Sequence, residues 1–227
     1  MMKFQLALDV RTIAEAHLMM DAAGDLADLI EVGSPLVMNE GMQAVREVRR
    51  RFPDKPLLAD CKIMDAVAWM APKAYEAGAD IVTVIEAAHD FTLQEHARVA
   101  HEYGKKAAVD LISCPTRDLA WRTKELADYG LDYFYMHAPS EALRPTFQIQ
   151  HTRIKEMLKS IPHEKLCIAH SLDYPRLEEV LQYQPEFTVV SLPIMLNLED
   201  PAKAREAALT VREIFDRCNA AVAPEDR

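Results

Sequence analysis

The sequence contains few cysteines, and none of them lies in a pair typical of a metal or redox site. The 227 residues include four cysteines, Cys61, Cys114, Cys167 and Cys218. No two of them are spaced as Cys-x-x-Cys, which argues against a zinc site and against a dithiol redox pair. Scattered, unpaired cysteines are typical of a reducing compartment, so we expect the chain to be cytoplasmic.

Positive charge and long apolar segments are also scarce. The chain has 26 Lys and Arg against 36 Asp and Glu, a formal net charge of −10, and its basic residues form no stripe. Nucleic-acid-binding proteins present basic surfaces to the phosphate backbone, so nucleic acid is not an expected partner. No apolar run approaches the roughly 20 residues that span a bilayer. The N-terminal MMKFQLALDV carries Asp9 too early for a signal peptide, so we expect no membrane partner either.

The sequence does show a regular alternation between short apolar runs and longer amphipathic stretches. The continuous apolar character of the runs is typical of parallel strands, which are buried on both faces. Between them lie helix-like stretches such as 202–218, where apolar residues recur at helical spacing. The eight strand-like runs cover residues 4–9, 28–33, 57–61, 80–85, 107–112, 132–137, 165–169 and 187–191.

Eight strand–helix units in a chain of this length predict an α/β fold, a (β/α)8 TIM barrel. We expect a single barrel domain over residues 1–220 and a C-terminal tail over residues 221–227. An open, doubly wound sheet is the alternative, but such sheets usually carry a glycine-rich phosphate loop after the first strand. Here the first strand ends in ALDVRT, without glycine, which favours the barrel.

Charged side chains stand at the carboxyl ends of the predicted strands, where barrel enzymes carry their chemistry. One strand-end Asp is more often a cap for the next helix, and one strand-end His is more often structural. Five carboxylates at one barrel mouth are harder to explain by packing, because such groups are costly to bury unless they are paired or hold a metal. The strand-end set is Asp9, Glu31, Asp60, Glu86, Asp110, His137 and His170.

The stretch LLADCKIMDAV, residues 57–67, places three charged residues at the end of the third strand. Glu31 and Asp60 could share one hydrated Mg²⁺, which prefers oxygen ligands and needs only one or two carboxylates. Lys62 and Asp65 would then be an acid–base and positioning pair beside it. Alternatively, Asp65 caps the following helix and Lys62 is only its salt-bridge partner; spacing alone does not separate these interpretations.

Several stretches resemble one known family. ADCKIMDA (59–66) resembles the Asp-x-Lys-x-x-Asp signature of the orotidine 5′-monophosphate decarboxylase superfamily. Other stretches, in the same order over about two thirds of the chain, are similar to 3-hexulose-6-phosphate synthase and its sister enzyme, 3-keto-L-gulonate 6-phosphate decarboxylase. The residues around Asp110 and His137 favour the synthase, since the sister enzyme carries an arginine where Ser140 stands here. These stretches are FQLALDV (4–10), IEVGSPLVMNEG (30–41), AGADIVTVI (77–85), AVDLIS (108–113) and YMHA (135–138).

The resemblance implies a catalytic site built around a metal. Glu31 and Asp60 would bind Mg²⁺, which would act as a Lewis acid on an enediolate intermediate. Lys62 would stabilise the developing negative oxygen, and His137 would handle the proton.

The resemblance also implies how the substrate and a second chain are bound. Asp65 would come from the neighbouring subunit, so we expect a homodimer with shared active sites. Asp9 would anchor substrate hydroxyls, and Asp110 is expected among the substrate-binding residues.

The resemblance weakens after the seventh and eighth strands, where the family uses glycine pairs to grip a substrate phosphate. CIAHSLD places His170 and Ser171 there, and VVSLPIM places Leu192 and Pro193, which has no N–H to donate. Glu86 also stands where relatives have a small residue. We expect a substrate that is unphosphorylated or is held by His170 and Glu86, with Ser171 as a further donor to an anion. Alternatively, the loops have moved and other backbone groups bind phosphate.

Three functions therefore remain open from the sequence. The leading hypothesis is a Mg²⁺-dependent lyase, an aldolase or a decarboxylase, that acts on a sugar-derived keto substrate through an enediolate. The second is an isomerase or epimerase that uses the same intermediate without losing carbon. The third is a non-catalytic relative that keeps the barrel as a binding protein.

Overall fold

Eight parallel strands close into a barrel in this computed structural model, which describes residues 1–139, 149–170 and 172–222. Each strand pairs with the next along the chain, and the eighth pairs with the first. The predicted (β/α)8 barrel is thus confirmed, and the open doubly wound sheet is wrong. The strands are β1 (Lys3–Leu8), β2 (Leu29–Val32), β3 (Leu57–Ile63), β4 (Ile81–Ile85), β5 (Lys106–Asp110), β6 (Tyr133–His137), β7 (Leu166–Ala169) and β8 (Phe187–Val190).

Helices cover the outside of the barrel and follow the strands along the chain. Some begin at side-chain caps that the sequence encodes: Thr12 and Glu15 form a capping box at the first helix, and Asp200 caps the last. The tail predicted over 221–227 lies outside the described residues from 223 onward. The helices are α1 (Ile13–Ala23), α2 (Ser34–Glu40), α3 (Met42–Arg51), α4 (Val67–Ala77), α5 (Asp90–Glu102), α6 (Leu119–Asp128), α7 (His151–Met157), α8 (Tyr174–Leu181), α9 (Leu192–Met195) and α10 (Pro201–Ala221).

The inside of the barrel has an apolar lower part and a polar upper end. Because side chains alternate along a strand, Leu29 and Glu31 point to the same side of β2, as do Leu58 and Asp60 on β3. The apolar members of this inward set pack together as one core inside the barrel. That core comprises Ala7, Leu29, Leu58, Ile81, Ala108, Tyr135, Cys167, Phe187 and Val189. The same inward alternation therefore carries the strand-end acids into the barrel mouth.

None of the helices in the described part of the chain combines the length and the apolar character needed to cross a membrane.

Candidate active site

A cavity of about 490 Å³ opens at the carboxyl ends of the strands. Seven of the ten residues predicted for the site line it. Asp65 and Glu86 are not among its lining residues, and Ser171 lies outside the described residues. The seven are Asp9, Glu31, Asp60, Lys62, Asp110, His137 and His170.

Asp60 and Lys62 form the centre of the cavity. The Lys62 ammonium donates to Asp60 Oδ2 and lies 3.4 Å from Asp110 Oδ2. Two hydroxyls complete the partners of Asp60: Ser34 Oγ donates to Oδ2 at 2.7 Å, and Thr83 Oγ1 donates to Oδ1 at 2.8 Å. Burial opposes the charge of Lys62, but the two carboxylates outweigh it and raise the pKa of the ammonium. Lys62 is therefore a fixed positive charge at neutral pH.

The backbone at Lys62 is unusual, and it helps to place this side chain. The pairing of β3 with β4 shifts register between Ala59 and Ile63, and Lys62 has a φ of +44°, in the left-handed region. A non-glycine residue in that region is strained and is held there by its surroundings. Here the Lys62 N–H donates to Thr83 Oγ1 at 2.9 Å. This bulge carries β3 two residues beyond the predicted end at Cys61.

Asp110 and His137 form a second hydrogen-bonded pair, with Asp110 Oδ2 and His137 Nδ1 at 2.7 Å. The backbone N–H of Ile112 donates to Asp110 Oδ1 at 2.9 Å. Burial favours the neutral acid, but His137 and Lys62 outweigh it and lower the pKa of Asp110. An ionised Asp110 that accepts Nδ1–H of His137 leaves Nε2 as the nitrogen for a reacting group.

The opposite side of the cavity is crowded with carboxylates. Burial, then repulsion from Asp60 and Asp9, raises the pKa of Glu31 well above its ordinary value. Burial and Asp60 likewise raise the pKa of Asp9. Glu31 is held in place by Gln5, whose Nε2 donates to Glu31 Oε2 at 2.6 Å and whose Oε1 accepts from the Tyr135 hydroxyl at 2.8 Å. When these acids are ionised, the cavity holds more negative charge than Lys62 can balance.

This excess negative charge is what a hard divalent cation would neutralise, and the oxygen donors suit Mg²⁺. Glu31 and Asp60, the predicted ligands, both line the cavity. No group of three or more His, Cys, Asp or Glu residues within the described ranges is already arranged as a metal site. The Asp60 carboxylate is instead turned to Lys62 and to the two hydroxyls.

Glu86 is engaged elsewhere. The Arg122 guanidinium, which is buried, donates from Nε to Glu86 Oε1 at 2.9 Å, and Ser113 Oγ donates to Oε2 at 3.2 Å. The structure therefore does not support the substrate contact expected of Glu86, because the carboxylate is held by Arg122 away from the cavity.

Asp65 is exposed, and its carboxylate makes no hydrogen bond or ion pair within the part of the chain that the structure describes. Helix α4 has Ala66 as its N-cap, with no side-chain cap. The alternative in which Asp65 caps that helix is thus wrong, and Lys62 pairs with Asp60 and Asp110 instead of Asp65.

The wall formed after β7 and β8 differs from the rest of the cavity. It comprises Ala169 and Val189 from the ends of these two strands, and His170, Ser191, Leu192 and Met195 from the segments that follow them. Burial, then the nearby Arg176 and His137, lowers the pKa of His170 to about 4, so this imidazole is neutral at pH 7.

Two backbone donors of this wall are already used within the protein. The N–H groups of Ile194 and Met195 both donate to Ser191 O, at 3.1 and 2.9 Å, within helix α9. Pro193 in the same turn has no N–H. The wall is therefore mostly apolar, and it carries the Ser191 hydroxyl and a neutral imidazole where barrels commonly bind phosphate.

The sequence reasoning missed the polar residues that hold the charged groups in place. Gln5 and Tyr135 position Glu31, while Ser34 and Thr83 position Asp60. A signal was present in the alternation: Gln5 shares the inward face of β1 with Ala7, and Thr83 interrupts an apolar run in β4. Polar residues at inward positions of a barrel strand need partners inside the barrel.

The chain matches the model of the orotidine 5′-phosphate decarboxylase / HUMPS family over residues 2–207. A protein of Bacillus subtilis named 3-hexulose-6-phosphate synthase is 35% identical over 83% of this chain and 89% of its own. A solved 3-hexulose-6-phosphate synthase from Salmonella typhimurium is 30% identical, with a TM-score of 0.86 over 95% of this chain and 99% of its own. A solved 3-keto-L-gulonate-6-phosphate decarboxylase from Vibrio cholerae is 25% identical, with a TM-score of 0.78 over 95% of this chain and 97% of its own. The chain thus belongs to the orotidine 5′-phosphate decarboxylase / HUMPS family, and it is a carbon–carbon lyase.

Proposed function

We propose that this chain is a Mg²⁺-dependent lyase that makes or breaks a carbon–carbon bond beside the carbonyl of a sugar-derived substrate, through an enediolate. The observation that carries the proposal is Lys62, a partly buried ammonium held between Asp60 and Asp110 in the cavity. A fixed positive charge in a site shielded from water stabilises negative charge as it develops on a substrate oxygen. An aldol reaction is the first candidate, because relatives named 3-hexulose-6-phosphate synthase match this chain over most of its length and most of theirs.

The paired groups beside Lys62 supply the proton chemistry. His137 uses Nε2 to give or take a proton at the reacting carbon or oxygen, while Asp110 holds the other ring nitrogen in place. Asp9 faces the same cavity and binds substrate hydroxyls. Because burial and Asp60 raise the pKa of Asp9, substrate or cation binding would change its protonation more readily than that of an exposed acid.

Glu31 and Asp60 are the residues that would hold Mg²⁺. The raised pKa of Glu31 supports this assignment, since a bound cation would relieve the repulsion that raises it. When bound, the ion would supply a Lewis acid for the substrate oxygens. Gln5 would keep Glu31 oriented, as residues behind metal ligands usually do.

The far end of the substrate faces the apolar wall of Ala169, Val189, Leu192 and Met195. The relatives are named for sugar phosphates, 3-hexulose-6-phosphate and 3-keto-L-gulonate-6-phosphate. For this chain we propose that the loops after β7 and β8 do not bind a phosphate group as a buried anion. Instead, neutral His170 forms a hydrogen bond with the substrate. A pair of kinetic measurements on one keto sugar, with and without its phosphate, tests this. A strong preference for the phosphorylated sugar that survives His170→Ala would contradict it.

We also propose a homodimer in which Asp65 completes the site of the partner. Large apolar side chains lie exposed just after strands β2, β3 and β4, at the same end of the barrel as the cavity, and Asp65 lies among them in the sequence. They are Met38, Met64, Trp69, Met70 and Phe91, and the exposed fraction of Trp69 is 81%. Such a concentration of exposed apolar surface marks an interaction site, and a two-fold dimer is the commonest solution.

A substrate screen tests the lyase proposal directly. Keto sugars and sugar acids, with and without phosphate, are incubated with the enzyme and Mg²⁺, and products are identified by mass, with formaldehyde and CO₂ measured separately. We expect cleavage that EDTA abolishes and that Lys62→Met reduces by about a thousandfold. The exposed Lys73 offers a matched control, and Lys73→Met should leave the rate unchanged.

Other outcomes of the screen separate the alternatives. A product of unchanged mass would indicate an isomerase. Mg²⁺ binding without turnover of any substrate would indicate the non-catalytic relative. Full activity in EDTA would contradict the metal assignment.

A further inference from the structure

A buried arginine outside the cavity holds the loop that follows Asp110. Arg153 lies on α7, and its guanidinium donates from Nη1 to the carbonyl of Cys114 at 2.6 Å and from Nη2 to that of Leu111 at 2.8 Å. Loop 111–115 begins directly after Asp110, and its Ile112 lines the cavity. One side chain therefore ties together both ends of a loop that forms part of the site.

Burying the Arg153 guanidinium at this position costs free energy. Arg153 is only 8% exposed, and within the described ranges it has no carboxylate partner and no acceptor for its Nε. Burial lowers the pKa of Arg153, and the fields of Cys114, Asp110 and Glu86 offset this only in part. A buried cation held by carbonyls alone contributes little to stability, which suggests that it is retained for the geometry that it imposes.

The same loop is held from a second side. Ser113 Oγ donates to Glu86, and Glu86 is fixed by Arg122. This gives Glu86 a place in the structure: it fastens the loop after β5 and does not face the substrate cavity. The loop between Leu111 and Cys114 is thus clamped between Arg153 and the Glu86–Arg122 pair.

We propose that Arg153 is a positioning residue for the pair formed by Asp110 and His137. The link is the backbone N–H of Ile112 in the clamped loop, which donates to Asp110 Oδ1 at 2.9 Å, while Asp110 Oδ2 holds His137 at 2.7 Å. If the loop shifts, the carboxylate turns, and the imidazole turns with it. The inference rests on the proposed function to the extent that His137 transfers the proton.

The test compares two arginines that hold loop carbonyls at opposite ends of the barrel. Arg49 is the matched control: it donates to the carbonyls of Phe52, Lys55 and Gly78, before β3 and β4, at the end away from the cavity. Arg153→Ala, Arg153→Lys and Arg49→Ala are made in the full chain. Each is measured for kcat, KM and the free energy of unfolding.

We expect Arg153→Ala to lower kcat by about ten- to a hundredfold with little change in KM, because a misplaced acid–base pair slows the reaction more than it weakens binding. Free guanidinium at millimolar concentration should restore part of kcat. Arg153→Lys should restore little, since an ammonium cannot bridge two carbonyls as a planar fork does. Arg49→Ala should lose stability but keep kcat.

A readout that needs no substrate separates this inference from the proposed function. In the NMR spectrum of ¹³C-histidine-labelled protein, the His137 ring resonances should move in Arg153→Ala as they move in Asp110→Asn, and stay in place in Arg49→Ala. Unmoved resonances in folded Arg153→Ala, or an unchanged kcat, would overturn the positioning role. If the resonances move in Arg153→Ala but the wild-type chain turns over no substrate, the positioning role of Arg153 stands and the proposed reaction is rejected.

Discussion

Gly33, two residues after Glu31, shows how a single residue can make room for a side chain of the cavity. A Cβ at this position would lie 2.3 Å from Asp9 Oδ1 and 2.9 Å from the carbonyl of Leu8. Asp9 can therefore occupy its place in the cavity only because residue 33 has no side chain. We predict that Gly33→Ala displaces the Asp9 carboxylate and lowers kcat/KM by about tenfold or more.

A double-mutant cycle with Asp9→Ala tests whether Gly33→Ala acts through the Asp9 carboxylate. Removing the carboxylate removes most of the clash, so the two substitutions should not be additive in kcat/KM. Fully additive effects would mean that Gly33 acts on the site by another route, such as a shift of the β1 backbone.

His96 makes the stability of the barrel depend on pH. It is fully buried on α5, with Nε2 2.9 Å from the carbonyl of Val82, and burial lowers its pKa from 6.5 to about 4. Between these values the unfolded chain binds more protons than the folded one, so stability falls as the pH falls. We predict that wild type loses about 2 kcal/mol more than His96→Gln between pH 7 and pH 5. Urea unfolding at the two pH values measures this, and equal losses in both proteins would contradict it.

At the scale of one element, the bulge of β3 decides where Lys62 points. Thr83 on the neighbouring strand accepts from the Lys62 N–H at 2.9 Å and donates to Asp60 Oδ1 at 2.8 Å. Thr83→Val keeps the shape of the side chain but removes both hydrogen bonds and leaves the partly buried Lys62 N–H without this partner. We predict a stability loss of about 1–3 kcal/mol together with a clear fall in kcat.

Another threonine offers the control for this substitution. Thr188 on β8 is fully buried, and its hydroxyl has no hydrogen-bond partner within the described residues. Thr188→Val should therefore leave kcat unchanged and should not destabilise the protein. If the two valine substitutions had the same effect on kcat, the bulge would not be what positions Lys62.

At the scale of the whole molecule, the proposed dimer makes each site depend on two chains. Asp65→Ala and Lys62→Ala should each be inactive alone, because each removes one member of every site. After random mixing, half of the dimers are mixed and each has one intact site, so about a quarter of the sites should regain activity. Steady-state rates of the mixture, with subunit exchange followed by mass spectrometry, measure this.

The control mixture combines Lys62→Ala with Asp60→Ala. These residues lie in the same barrel and contact each other, so no mixed dimer has an intact site and no activity should return. An active wild-type monomer that persists on dilution would refute the shared site.

Local patterns in the sequence were enough to predict the barrel and the position of the charged side chains at its mouth. Apolar runs buried on both faces, separated by amphipathic stretches, predict eight parallel strands because that burial pattern suits few other arrangements. Alternation along each strand then places Glu31, Asp60 and Asp110 on the inward side, at the end where the strands meet. These conclusions depend only on residues close together in the sequence, because the backbone of a strand fixes the directions in which their side chains point.

Only the tertiary structure decided which charged groups become partners. Lys62 pairs with Asp60 and Asp110 and not with Asp65, which it precedes by three residues, because the bulge turns its side chain into the barrel. Glu86 directly follows β4 and Asp110 is the last residue of β5, yet Arg122 on α6 holds Glu86 away from the cavity. Such pairings join residues that are distant in the chain, and they depend on side-chain rotamers and on the space that packing leaves. Periodicity in the sequence carries the direction of a side chain, whereas its partner is set by whichever element folds against it.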